Sequence, residues 1–320
     1  GFNTLPDVIA ALRARPGSVT FGHNGAGTNG HLAIRMLDRR WGVWGGSYGS
    51  AGKVNGESVV LGSHDVTPRT YGIVAGADYR ASADTVLGFA LAGGGTNWSL
   101  SNGLGKGRSD VFQIGAYGIH RAGAAYLSGA LAYAWNGIST SRTVNLAGVD
   151  QLNARVEGQT FAGRIEAGYR VPMQFVAITP YAALQGQNFY TPAYSESAAS
   201  GTGAFALNYG SRSTATLRTE LGSRFDQTVA AGNDATLSFR SQLAWVHDTN
   251  TDRPMSAEFQ ALPGSAFTVY GAAAPKDSAL LSSGAELRFV NNVTLGARVT
   301  GELAGGARGV SAQGSLRYAW

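Results

Sequence analysis

The 320-residue sequence has no cysteine and no long hydrophobic run, and each absence excludes a class of protein. Without cysteine there are no disulfides and no thiolate metal sites, and the composition fits an oxidising or surface-exposed compartment. Without about 20 consecutive apolar residues there is no transmembrane helix. A transmembrane β-barrel remains compatible, because its strands turn only every second side chain towards lipid.

Clusters that carry chemistry are also missing. The net charge of +5 comes from dispersed arginines rather than a basic block, so no nucleic-acid partner is predicted. No metal-ligand spacing and no nucleophile elbow occurs, so we predict no metal, no cofactor and no catalytic residue. No signal peptide is visible at Gly1, and we expect the sequence to be the C-terminal part of a longer precursor or a processed product.

The last residues alternate strictly between apolar and polar. Counting back in twos from Trp320, the residues Tyr318, Leu316, Gly314, Ala312 and Val310 form one apolar face. This period of two predicts a β-strand. The pattern resembles the C-terminal signature by which bacterial outer-membrane barrels are delivered to their assembly machinery. On that resemblance Leu316, Tyr318 and Trp320 are predicted to form an assembly signal.

The same alternation recurs from Trp41 onward. It predicts an all-β fold, a twelve-stranded antiparallel transmembrane β-barrel with an even strand number, as single-chain bacterial barrels have. The predicted strands lie near 41–50, 68–80, 84–96, 108–121, 124–137, 153–171, 175–190, 211–227, 234–249, 278–290, 292–304 and 307–320.

The predicted connections differ in length on the two sides. Those after strands 2, 4, 6, 8 and 10 are short, whereas those after strands 1, 3, 5, 7 and 9 are long and polar, and the last, at Gly305–Gly306, is short. Short periplasmic turns and long extracellular loops are typical of outer-membrane barrels. We therefore expect both ends of the barrel on the periplasmic side, with the last strand pairing with the first near Trp41–Tyr48.

The face opposite the apolar stripe carries charges of both signs. Such side chains are costly in lipid and are expected to line a water-filled lumen as an ion-paired wall. A specific substrate-contacting role for one of them is the alternative. The predicted wall consists of Arg164, Glu166, Arg218, Glu220, Arg224, Arg240, Glu286, Arg288, Arg298 and Glu302, with Asp226 and Arg317 on the same face.

Residues from about 40 to 320 resemble the autotransporter β-domain, the translocator of type V secretion. The resemblance rests on the order of segments such as 41–46, 71–79, 166–170, 179–185, 220–224 and the closing 314–320. It implies a monomeric barrel in the outer membrane, surrounded by outer-membrane lipid, with a helix in or near the lumen before the first strand. It also implies an N-terminal passenger that the barrel anchors and helps to export, and assembly by the barrel assembly machinery with periplasmic chaperones.

Residues 1–39 have a different character. A short amphipathic helix, a strand and a glycine-rich turn lead into a second helix. They resemble a fragment of the solute receptors of tripartite tricarboxylate transporters, the Bug receptors. The resemblance implies an anion-contacting turn at Gly25, Gly27 and Thr28. So short a piece of a two-domain receptor cannot form a cleft, so we interpret this turn as vestigial and expect the second helix to take the place of the lumen helix.

Two other functions compete with translocation. One is an outer-membrane enzyme barrel of the protease or lipase type, suggested by His64 beside Asp65 and His247 beside Asp248 on the extracellular side. Neighbouring residues of a strand point to opposite faces, so neither pair forms a dyad by itself. The other is a passive porin or adhesin anchor, which differs from a translocator only in what is attached or passes through.

Overall fold

The computed structural model describes residues 40–57, 62–146, 148–232, 234–252 and 254–320. Within these ranges the chain is almost entirely β-structure, and no helix is long and apolar enough to cross a membrane. The strands are β1 (Trp41–Val54), β2 (Val66–Arg80), β3 (Thr85–Leu100), β4 (Gly105–Ala122), β5 (Ala125–Val144), β6 (Asp150–Tyr169), β7 (Val171–Pro172), β8 (Ala177–Thr191), β9 (Tyr194–Ser195), β10 (Ser197–Ser200), β11 (Leu207–Tyr209), β12 (Arg212–Ala231), β13 (Ala235–Asp248), β14 (Pro254–Phe259), β15 (Phe267–Tyr270), β16 (Asp277–Phe289), β17 (Val293–Ala304) and β18 (Ala307–Ala319).

Twelve of the described strands close into one antiparallel barrel. Its order is β1, β2, β3, β4, β5, β6, β8, β12, β13, β16, β17 and β18, and each strand pairs with the next. The ring closes between the first and last strands, from Gly42 opposite Ala319 to Val54 opposite Ala307. The backbone amide of Trp320 also donates to the carbonyl of Trp41 at 3.0 Å. Closure removes both sheet edges and confirms the predicted barrel and its predicted seam.

The two sides of the barrel differ, but less regularly than the sequence predicts. Two connections expected to be long are short, because β3 and β4 stay paired up to Ser99 opposite Lys106, and β5 and β6 up to Val144 opposite Asp150. These polar stretches read as loops in the sequence. A β-ladder is held by backbone hydrogen bonds, so polar strands can continue above the membrane without apolar side chains.

The outward face of the barrel is an apolar belt. Ile73, Leu281 and Leu303 are 69%, 61% and 65% exposed, values that suit lipid rather than water as the neighbour. Aromatic side chains occupy its periplasmic rim, including Trp41, Tyr79, Tyr169, Tyr318 and Trp320. The predicted apolar face of the last strand is therefore the outward face.

The two longest connections fold into a small sheet on the extracellular side, ordered β15, β14, β11, β9. The neighbouring β10 pairs with β6, from Ser197 opposite Asn153 to Ser200 opposite Gln151. We call residues 192–211 together with 254–270 the cap. On the inner face of β6, below the cap, Leu152 is fully buried and Ala154 is 5% exposed. The cap therefore covers the inside of the β5–β6 hairpin at the outer mouth of the barrel.

The predicted helical segment and the predicted turn at Gly25, Gly27 and Thr28 lie outside the described residues.

Candidate functional site

Strand register brings the central charges of the lumen together. Glu166 on β6 and Glu220 on β12 both lie opposite Ala183 of β8, on the lumen side of the sheet. One row further on, Arg164 and Arg218 both lie opposite Gln185. Because residues two apart on a strand share a face, acidic and basic side chains alternate along β6 and along β12, on either side of the uncharged β8 positions.

These side chains form an ion-paired network. Arg164 donates to Glu166 at 2.8 Å and to Glu220 at 3.0 Å, and Arg224 donates to both oxygens of Glu166, at 2.7 and 2.8 Å. The residues Glu166 and Glu220 are 8% and 4% exposed. A carboxylate buried to this degree needs partners for both oxygens. We call Arg164, Glu166, Glu220 and Arg224 the central cluster.

Two tyrosines complete the central cluster, and the sequence analysis missed both. The hydroxyl of Tyr126 donates to Glu166 at 2.8 Å and accepts from Arg224 at 2.7 Å, while Tyr181 donates to Glu220. A Cβ atom on Gly168 would lie 2.5 Å from the Tyr126 ring, so glycine is needed there. Strand parity places Tyr126 on the lumen face and could have revealed it. Tyrosine is also common at the membrane rim of a barrel, so the residue type alone does not indicate a lumen position.

Further ion pairs lie above and below the central cluster. Towards the outside, Arg218 contacts Asp248 at 3.1 Å and Glu302 at 2.8 Å. Towards the periplasm, the pairs are Arg240 with Glu286 at 3.1 Å, Arg240 with Asp226 at 3.5 Å, Arg170 with Asp226 at 3.0 Å, and Arg317 with Asp78 at 2.7 Å.

Two further predicted wall residues lie on β16 and β17. Arg288 and Arg298 also lie on the lumen side, and in the described part of the chain no ion pair includes Arg298. The predicted wall thus has the predicted face, although the functional role of each residue stays a prediction.

The opposite half of the lumen is neutral in its middle, between Asp78, Arg80 and Arg121 at the periplasmic end and Arg142 at the outer end. One lateral row runs from Trp44 through Gly76, Ala90, Gly115 and Ala132, on β1 to β5. The ring of Trp44 lies over Gly76, where a Cβ atom would come within 2.5 Å of it, and its indole donates to the hydroxyl of Tyr117 at 2.8 Å. The small side chains of this row project only a short way into the lumen. We call this row the neutral wall.

A buried ion pair holds the cap to the barrel. Arg142, on the inner face of β5, donates to Glu196 at 2.6 and 3.0 Å and to the carbonyl of Phe205 at 2.8 Å. The Glu196 side chain is 3% exposed and also accepts the Leu207 amide at 3.0 Å. Burial raises the pKa of the neighbouring Tyr209, which donates to Glu196. No sequence pattern pointed to Glu196, because this residue lies in a connection between predicted strands.

A second anchor of the cap lies at the outer end of β6, above the membrane. Asp150 is 5% exposed and accepts the Thr202 amide at 2.7 Å. Burial opposes ionisation of this carboxyl, but hydrogen bonds from the backbone amides of Thr202, Gly203 and Phe205 hold its pKa below its usual value.

The candidate catalytic pairs do not form dyads. Asp248 points into the lumen to Arg218, whereas His247 faces outward and contacts Asp277 at 2.9 Å. Asp65 contacts Lys53 at 2.7 Å, and this hydrogen bond holds the Asp65 pKa below its usual value. In the described residues, no group of three or more histidine and carboxylate side chains has the geometry of a metal site.

Known proteins resemble this chain in sequence and in fold. The family model of the autotransporter β-domain matches residues 43–300. An extracellular serine protease of Serratia marcescens is 29% identical over 280 residues, which are 87% of this chain and 26% of that protein. The chain thus spans about a quarter of the length of this curated relative.

Solved structures agree on the fold. The translocator domain of the autotransporter NalP from Neisseria meningitidis superposes with a TM-score of 0.70 at 18% identity, covering 90% of this chain and 94% of that one. The β-domain of the Bordetella autotransporter BrkA gives 0.62 at 14% identity, covering 87% and 99%. The family match spans most of the barrel, and the chain therefore belongs to the autotransporter β-domain family, the outer-membrane translocator domains of type V secretion.

Proposed function

We propose that residues 40–320 act as one translocation unit, whose lumen admits an N-terminal passenger along the neutral wall. The observation that carries this proposal is the division of the lumen into two halves. On the charged half, Arg164, Arg224 and Arg218 are each engaged by carboxylates of the wall itself. Charges that are paired within the wall hold the barrel open and offer little to a passing chain, whereas the neutral wall leaves room beside it.

The cap acts as the gate of this route. It covers the inner face of the β5–β6 hairpin and is fixed there by the Arg142–Glu196 pair. A polypeptide leaving through the outer mouth has to displace it. Export should therefore depend on release of the cap from β6.

A reversible crosslink tests the gate. Ser197 and Asn153 are exposed cross-strand partners, at a spacing that suits a disulfide. The unchanged chain has no cysteine that could form a competing disulfide. We expect Ser197→Cys combined with Asn153→Cys to reduce surface exposure of a fused reporter passenger, measured by protease access on intact cells. Reductant should restore export.

Each single cysteine variant is the matched control for the pair. Undiminished export with the disulfide formed would contradict the gate, and passage of the reporter outside the lumen would then be the better account.

We infer that the barrel itself is not an enzyme, although the Serratia relative is named as a protease. The relative matches over only 26% of its length, so its activity need not lie in the shared part. His247 is engaged by Asp277 on the outward face, away from the lumen. The purified 320-residue chain should not hydrolyse casein or p-nitrophenyl esters, and saturable hydrolysis lost in His247→Gln would contradict this inference.

We also propose that Leu316, Tyr318 and Trp320 are read by the barrel assembly machinery, after delivery by periplasmic chaperones. The three side chains are 53%, 45% and 51% exposed on the outward face. The rings of Tyr318 and Trp320 stack at 5.8 Å between centroids. This leaves a preformed apolar and aromatic surface that a partner can bind before lipid covers it.

A further inference from the structure

The outward face carries its charges at one end and on one side of the barrel. In the described strands, outward-facing lysines and arginines occur near the extracellular ends of β18, β1, β2, β4 and β6. At the periplasmic end the outward positions of the described strands hold no lysine or arginine, and the outward His120 there contacts Thr85. We call this set the basic band: Lys53, Arg69, Lys106, Arg108, Arg155 and Arg308.

The basic band follows directly on the apolar belt. On β2 the outward side chains run from Tyr79 through Ile73 and Tyr71 to Arg69. On β18 they run from Trp320 to Val310 and then Arg308. An outer-membrane barrel has an apolar band about 25 Å tall between its aromatic rims. The cations therefore lie at the level of the lipid headgroups of the outer leaflet.

Pairing within the band is incomplete. Lys53 contacts Asp65, and Arg108 contacts Asp110 at 2.7 Å. In the described part of the chain no ion pair holds Arg69, Lys106, Arg155 or Arg308, and all four residues are exposed. Long basic side chains can lay their stems along the apolar belt while the charged ends reach upward to anions.

The barrel seam adds a shaped recess to the band. Lys53 on β1 lies directly opposite Arg308 on β18. The two side chains line a recess of about 430 Å³ together with Asn55 and the Gly306 turn. Two cations of different strands thus converge on one concave surface at the closing seam.

The other half of the barrel lacks this feature. At the outer ends of β8, β12, β13, β16 and β17, the described outward positions hold no lysine or arginine. The outward His247 is engaged by Asp277. The charge asymmetry is therefore a property of one side of the wall, not of the extracellular end as a whole.

We propose that the basic band binds the phosphate groups of anionic lipids in the outer leaflet of the outer membrane. Phosphate oxygens accept charge-assisted hydrogen bonds from guanidinium and ammonium groups. Each basic side chain near an anionic lipid surface raises the affinity of the protein for that surface by about fivefold. The bound lipids fix one side of the barrel and span its seam at Lys53 and Arg308, leaving the other side free.

The test is lipid binding to the 320-residue chain, refolded in a non-ionic detergent and examined by native mass spectrometry. The probes are purified lipid A, which carries two phosphates, phosphatidylcholine, and inorganic phosphate. Lipid A should bind, bind less as salt rises, and lose about threefold to fivefold in affinity in Arg69→Gln. The variant combining Arg69→Gln, Arg155→Gln and Arg308→Gln should lose at least about tenfold.

The matched control is Lys276→Gln, which removes the same charge from an exposed residue outside the band. It should bind lipid A as the unchanged chain does. Equal binding by the triple variant, or equal binding of phosphatidylcholine, would overturn the proposal. Inorganic phosphate binding as tightly as lipid A would overturn the assignment to lipid. If the triple variant does not fold, lipid A binding to the single variants Arg155→Gln and Arg308→Gln is measured instead, and equal binding by both would overturn the proposal.

Discussion

At the scale of single residues, Glu166 decides the state of the central cluster. Its carboxylate contacts Arg164 and Arg224 and accepts a hydrogen bond from the hydroxyl of Tyr126. This one buried carboxylate bridges two guanidinium groups, and Glu220 supplies the second negative charge of the central cluster. Its removal leaves Arg224 without a carboxylate partner and Arg164 with Glu220 alone, which costs far more than the loss of an exposed ion pair.

We expect Glu166→Gln to destabilise the barrel by about 3 kcal/mol. The measurement is urea unfolding of the chain in phospholipid vesicles, followed by tryptophan fluorescence. The control is Glu157→Gln on the same strand, where the exposed side chain faces outward and the change should be below about 0.5 kcal/mol. Equal effects of the two variants would contradict the buried network.

Asp150 makes the cap sensitive to acid. Its pKa is lowered in the folded protein, so its stabilising contribution is complete above the usual aspartate pKa of about 3.9 and is lost as the pH falls through the lowered value. Hydrogen exchange of the Thr202 amide should therefore accelerate in strong acid, after correction for intrinsic exchange. Asp150→Asn should exchange faster at neutral pH and show no acid step. An acid step that persists in this variant would assign the effect to another group.

At the scale of elements, β18 serves two purposes through its two faces. Its outward face carries the predicted assembly signal, and its inward face contributes Arg317, which contacts Asp78 of β2 across β1. Asp78 is 3% exposed. Changing Arg317 would therefore leave a buried carboxylate without its cationic partner. A variant at Arg317 is for this reason not a neutral control for changes on the outward face.

We expect the double change Tyr318→Ser and Trp320→Ser to impair insertion into the outer membrane, because it removes the aromatic surface that the assembly machinery would bind. The comparison is Gln313→Ser on the inward face of the same strand, opposite Tyr48. Insertion is measured as the folded fraction in isolated outer membranes. If the two variants insert equally well, the outward face is not the signal.

At the scale of the whole molecule, closure of the ring is what makes the sheet stable in a membrane. Every strand of the described barrel has a partner on both sides, because β18 returns to β1. An open edge would leave backbone groups without partners in lipid. Opening the barrel therefore requires a complete interstrand ladder to break and leaves its backbone groups without partners in lipid, which makes unfolding slow.

The folded chain should accordingly resist sodium dodecyl sulfate at room temperature and change its electrophoretic mobility only after boiling. A variant that ends at Gly305, before β18, cannot close against β1 and should migrate as unfolded without heating. Identical mobility of the intact chain before and after boiling would argue against a closed barrel in solution.

The sequence predicted the fold to a large extent because the alternation within each strand shows which side chains face lipid and which face the lumen. Alternation along β12, with Leu217, Leu221 and Phe225 on one side and Arg218 and Glu220 on the other, is a local pattern that lipid and lumen enforce separately. The same logic gave the lumen face of the charged wall. It failed at the tops of β3 to β6, where polar strands above the membrane have lost the alternation and resemble loops.

What the sequence alone determined was therefore which side chains face lipid and which face the lumen, since that follows from a period of two along each strand. Only the tertiary structure decided which charges meet. Glu166 pairs with Arg224 across β8, and Arg142 pairs with Glu196 of the cap. These contacts form because closure of the sheet and folding of the long connections bring residues of distant segments together. The division of the lumen into a charged half and a neutral wall, and of the outer face into a basic band and a bare side, depends on strand order around a closed ring, which no single strand encodes.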